Sequence, residues 1–171
     1  MNMDSSDYIE LGNDACDRGE YGQAIVAYSL VIETGEHLID AYLCRAFAHE
    51  KLDNWQSAVD DYTSGIAQCG DSTLAWLFYR KRACVYTKMN RYEAAVDDYT
   101  KAIESLIENP EIVSIVEWNE DGLMLSTEHE LTDEEISTIK ILCQERSEAY
   151  RKLGRIDLAK ADKEVLRLNN G

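Results

Sequence analysis

At 171 residues, with 45% hydrophobic and 29% charged side chains and a single proline, the chain is long enough to bury a core and too apolar for disorder. Its 33 acidic and 17 basic residues give a formal charge of −16, which repels phosphate backbones and anionic lipid surfaces and so excludes nucleic acid and membrane as expected partners. The five cysteines are odd in number and irregularly spaced, against a disulfide framework, and the start MNMDSSDYIE lacks the basic head and apolar run of a secretory signal, so a cytoplasmic setting is expected.

Residues 5–38 carry Tyr8, Leu11, Gly12 and Ala15, then Gly19, Tyr21, Ala24, Tyr28 and Val31. Small and apolar positions three and four apart put one buried stripe on each of two helices, and Gly19 suits the left-handed residue that closes a helix before a tight turn. Residues 39–72 repeat the arrangement with Tyr42, Arg45, Ala46 and His49, then Asp53 in the turn slot, Trp55, Ala58, Tyr62 and Gly65. Residues 76–109 do so again with Tyr79, Arg82, Ala83 and Tyr86, then Asn90, Tyr92, Ala95, Tyr99 and Ala102.

The insertion 110–137 departs from the pattern. Pro110 ends the preceding helix, β-branched residues crowd into 112–116, and Asp121-Gly122 is a turn signal. Two readings stay open. Residues 112–118 and 123–127 form a short β-hairpin, with Thr132-Asp133-Glu134-Glu135 starting the next helix, or Trp118, Gly122 and Leu125 mark a degenerate first helix. The proline and IVSIV favour the hairpin. Residues 140–170 then restore the pattern with Cys143, Arg146, Ser147 and Tyr150, followed by Gly154, Ile156, Ala159, Lys163 and Leu166.

The hexapeptide AVDDYT occurs twice, at 58–63 and 95–100, and the alanines of successive second helices, Ala24, Ala58 and Ala95, stand 34 and 37 residues apart. Ala and Tyr of the motif fall at i and i+4 on one helix face, so the motif recurs because one packing problem recurs. Its two aspartates lie on the other flank and read as solvated or internally paired charge. Arg45, Arg82 and Arg146 share one slot, and Asp61, Asp98 and Asp162 another, which predicts three Arg-to-Asp ion pairs within about 4 Å. The first copy has Leu11 and Ala27 in these slots and lacks both partners together.

These residues and this period resemble the tetratricopeptide repeat, a helix–turn–helix unit of about 34 residues. The resemblance implies one all-α tetratricopeptide-type domain over 1–171, a right-handed superhelix of repeats whose concave groove, lined by first helices, takes a peptide or helix of a partner protein. On that basis the groove residues are Ile9, Asn13, Leu43, Phe47, Lys51, Leu77, Arg80, Lys81, Cys84 and Lys88. FYRKRACVYTK is the one concentrated basic stretch, suited to an acidic or carboxylate-bearing segment.

Co-chaperones of this family grip a chaperone's carboxylate tail through five polar residues. The matching slots here hold Ile9, Asn13, Cys44, Leu77 and Lys81, so two of the five are kept and that clamp is expected to be absent. A self-associating module is the other alternative, with a monomer or a weak homodimer as the expected state. No phosphate loop, nucleophile elbow or zinc-ligand spacing occurs, so no catalytic residue, metal or cofactor is expected. His49, in an aromatic slot, reads as a packed structural residue.

Overall fold

The computed structural model describes residues 4–70, 74–107, 116–119, 122–125 and 133–165. The chain divides into two compact units, Met1–Ser72 and Thr73–Gly171. The first holds α1 (Ser5–Asp17), α2 (Tyr21–Thr34), α3 (Leu38–Lys51) and α4 (Trp55–Cys69); the second holds α5 (Ala75–Lys88), α6 (Tyr92–Ile107), α7 (Asp133–Lys152) and α8 (Ile156–Val165). Among the described residues, none of these helices is long and apolar enough to cross a membrane.

In the first unit, α1 starts where the Asp4 carboxylate accepts the amides of Ser6 (2.9 Å) and Asp7 (3.0 Å), while Asp7 accepts the Asp4 amide (3.0 Å). Three otherwise orphaned amides are thus satisfied, and the acidic charges sit at the positive end of the helix. The helix closes through Gly19, at φ 74°, and the amide of Glu20 reaches back to the carbonyl of Ala15 (2.8 Å). The same turn recurs in both units at Asp53, Asn90 and Gly154, all left-handed, with back-bonds from Asn54 to His49 (2.9 Å), Arg91 to Tyr86 (2.8 Å) and Arg155 to Tyr150 (2.9 Å). A six-residue loop-back of this kind satisfies the last carbonyls of a helix and turns the chain at once into its partner. The four turn residues named from sequence all occupy the left-handed region.

Packing inside each pair follows the small-residue slots. Ala24, Ala58, Ala95 and Ala159 are buried, as are Tyr28, Tyr62 and Tyr99. Removing one such aromatic from water contributes about 1.5–3 kcal/mol before the entropy of ordering it. Gly12 marks the closest approach: a Cβ there would stand 2.6 Å from Cε1 of the Tyr28 ring. In the second unit, Val96, Tyr99, Ala102, Ile103 and Leu106 of α6 form one core with Ile139, Leu142 and Cys143 of α7.

Two short strands, β1 (Val116–Asn119) and β2 (Gly122–Leu125), pair antiparallel with Val116 opposite Leu125 and Asn119 opposite Gly122. The rest of the strand spans expected from sequence, 112–115 and 126–127, lies outside the described residues, as do Asp121 and the Thr132 cap. Helix α7 begins at Asp133, seven residues before the repeat boundary of 140 drawn from the pattern.

Candidate functional site

Three bidentate ion pairs frame the helix pairs. Arg45 donates from Nε (2.9 Å) and Nη2 (2.6 Å) to Asp61, Arg82 from Nε (2.7 Å) and Nη2 (2.8 Å) to Asp98, and Arg146 from Nε (3.0 Å) and Nη2 (2.6 Å) to Asp162. All three predicted pairs are formed. Of the two expectations for the aspartates of AVDDYT, solvated or internally paired charge, each holds for one of the two: Asp60 and Asp97 are exposed, whereas Asp61 and Asp98 are buried against their arginines. Burial alone works to lower the Arg146 guanidinium, but the hydrogen bonds and charge of Asp162 outweigh it and hold the group above its ordinary range.

The pairs also reach back along the chain. Arg45 spends Nη1 on the Ser29 hydroxyl (2.9 Å), and Arg146 spends Nη1 on the Thr100 hydroxyl (3.0 Å). Ser29 and Thr100 occupy one slot of the helix before, so Arg45 and Arg146 each tie their own helix pair together and clip it to the preceding one within the same unit. His49 lies under the first of these networks, with Nε2 3.9 Å from Asp61, and its Nδ1 is the buried side-chain polar atom without a hydrogen bond among the described residues. Burial lowers the imidazole below its ordinary range, against the pull of Asp61 and with the push of Arg45.

The buried phenol hydroxyls of the packing tyrosines contact side chains of the first helices. Tyr28 donates to Asn13 Oδ1 (2.9 Å) and lies 3.7 Å from Cys16 Sγ; Tyr62 donates to Glu50; Tyr99 lies 3.5 Å from Cys84 Sγ. Burial pushes the Tyr28 and Tyr99 hydroxyls far up, so both remain protonated. Side chains beneath the first-helix faces are therefore pinned from below by core residues, which the sequence reading missed because it assigned those tyrosines to packing alone.

In the first unit, Ile9 and Leu43 are half-buried, Asn13 is exposed, and Phe47 is 39% exposed. The Phe47 ring meets Tyr21 edge-on at 6.4 Å and 79°, and Lys51 Nζ sits 4.9 Å over it. In the second unit, Leu77, Lys81 and Cys84 are half-buried and Lys88 is exposed. Arg80 differs from its neighbours: it donates from Nε (3.0 Å) and Nη2 (2.8 Å) to Glu145 of α7, a bond that holds its guanidinium above the ordinary range. Glu145 was not anticipated, although it precedes Arg146 as Lys81 precedes Arg82, which is the signal that locates it. Among the described residues, no three His, Cys, Asp or Glu side chains converge as a metal site.

Helix pairs closed by left-handed turns, small-residue contacts and Arg-Asp clips define a helical-repeat array. A family model described as Tetratricopeptide repeat matches residues 78–105. No curated protein sequence matches the chain. A crystal structure of MamA is similar, with a TM-score of 0.68 and 21% identity over 96% of this chain and 77% of that one. MamA 41-end from Desulfovibrio magneticus RS-1 gives 0.64 and 13% over 98% and 78%. The first TPR of Spaghetti (RPAP3), bound to the HSP90 peptide SRMEEVD, gives 0.52 and 24% over 67% and 90%. Residues 78–105 thus match a tetratricopeptide repeat, and the chain shares the all-α helical-repeat fold of these solved structures.

Proposed function

We propose that the chain is a protein–protein interaction module that takes a segment of a partner protein on the first-helix faces of its units. The observation that carries this reading is Phe47: a large aromatic left 39% exposed, yet fixed by Tyr21 at its edge and Lys51 over its face. A rigid, half-exposed ring beside the aliphatic Leu43 offers apolar area without an ordering cost on binding. Ile9 and Asn13 extend the same face in the first unit, and Leu77, Lys81, Cys84 and Lys88 form its counterpart in the second. The peptide-bound RPAP3 repeat, alike in fold, supports the class of ligand. A co-chaperone-type clamp is the weaker alternative, since Ile9, Cys44 and Leu77 stand where polar groups would be needed.

The test is selection of binders from a displayed random-peptide library, followed by titration against Phe47→Ala. Selected peptides should lose about ten-fold or more in affinity to the variant, the scale of a central aromatic anchor. Peptides that bind Phe47→Ala as tightly as the wild-type chain would overturn the reading.

A further inference from the structure

We propose that Glu145 is a resident competitor: it occupies Arg80 until an acidic segment of a partner protein displaces it, so the second unit carries a self-blocked site for Asp/Glu-bearing sequences. This rests on the first-helix reading above and adds to it the chemistry of the partner.

The Arg80–Glu145 pair breaks the pattern set by the other three. Arg45, Arg82 and Arg146 each close onto the second helix of their own pair, sixteen residues away; Arg80 joins two first helices, α5 and α7, across 65 residues. The Arg146 and Asp162 side chains are 6% and 7% exposed, but those of Arg80 and Glu145 are 30% and 27% exposed, within reach of a partner. A pair in that environment exchanges readily, because water and a second carboxylate compete on nearly equal terms.

Charge on the same face selects the partner. Lys81, next to Arg80, and Lys88, two turns further along α5, make no ion pair with a described residue, in a chain whose net charge is −16. With Arg80 released, three cations of one helix face a single ligand, and its Asp or Glu side chains would form charge-assisted, partly bidentate bonds. The displaced carboxylate is not stranded. Glu145 also lines a cleft of about 390 Å³ with Arg151 and Lys163, where Lys163 replaces the tyrosine of the other pairs. Glu148, on the same helix, is held by Arg151 (3.5 Å) and does not contend for Arg80.

The experiment is a fluorescence-anisotropy titration of the full chain and of Glu145→Gln with two labelled probes, a tetraglutamate peptide and its tetraglutamine counterpart, at low and at physiological salt. Glu145→Gln should bind tetraglutamate about 2- to 5-fold more tightly than wild type, the equivalent of an exposed ion pair of about 0.4–1 kcal/mol. The gain should shrink with salt, and tetraglutamine affinity should not change. Equal or weaker tetraglutamate binding by Glu145→Gln overturns the competitor. No tetraglutamate binding by either protein up to millimolar concentration overturns the acidic partner, while the Phe47 anchor is judged separately by its own titration. If Glu145→Gln fails to fold, the Arg80 Nε–H resonance of the wild-type chain decides: it must shift on adding tetraglutamate, and an unmoved resonance at saturation refutes the exchange.

Discussion

Replacing Arg146 by methionine keeps the aliphatic stem and deletes the guanidinium that Asp162 and Thr100 share. The two side chains are 6% and 7% exposed, so the orphaned carboxylate has little water to turn to. Breaking a buried pair from one side costs about 3–5 kcal/mol, because desolvation of the remaining charge is no longer offset. The loss should fall on α7 and α8, which the pair joins, and on the clip to α6 at Thr100. Residue-resolved hydrogen exchange is the assay. Amides of α8 should exchange roughly two to three orders of magnitude faster, at about 1.4 kcal/mol per factor of ten, while α1–α4 of the other unit keep their protection. Converting both partners, Arg146→Met with Asp162→Leu, should recover most of the loss, since apolar groups of similar size replace a buried pair at little cost. The series should be graded, with Arg45→Met milder because its side chain is 22% exposed. Loss below about 1 kcal/mol in Arg146→Met, or equal loss across both units, would refute the reasoning.

Gly12→Ala gains about 1 kcal/mol of helix propensity, yet the new methyl would meet the buried Tyr28 ring at 2.6 Å, so net destabilisation of about 1–2 kcal/mol is expected, seen as a fall in Tm; a rise would contradict the close approach. His49 is depressed in the folded chain, so the unfolded chain binds more protons just below pH 6.5 and stability is lost as pH falls from 7 through that value. His49→Tyr should flatten this part of the urea-midpoint profile, and an unchanged slope would remove His49 as its source. Burial pushes the Cys143 thiol up to about 11 and also raises Cys69, so both should resist maleimide at pH 7.5 until urea unfolds the chain, while the half-buried Cys16 and Cys84 are labelled earlier; mass spectrometry of timed samples reads the order.

The parts of the fold legible in the sequence were those fixed by local geometry repeated at one period. Gly19, Asp53, Asn90 and Gly154 could be placed in left-handed turns because that backbone region admits few residue types, and Ala24, Ala58 and Ala95 could be placed at helix contacts because only small side chains fit there. The Arg-Asp pairs were legible because both partners vanish together in the first copy. What escaped was contact between one helix pair and the next. Glu145 takes Arg80 only in the second unit, and the roles of Ser29 and Thr100 depend on a guanidinium nitrogen left over after two bonds to an aspartate. Among the expected face residues, the fixation of Phe47 by Tyr21 and Lys51 emerged only from three-dimensional packing.

The most direct measurement is an amide chemical-shift map of the isotopically labelled chain titrated with a library-selected peptide. Binding on the first-helix faces should move the signals of Ile9, Asn13, Leu43 and Phe47 in one unit, or of Leu77, Lys81 and Cys84 in the other, and leave Val26, Asp60 and Asp97 on the second helices in place. Shifts confined to α2, α4 and α6, with the first-helix signals unmoved at saturation, would contradict the proposed role.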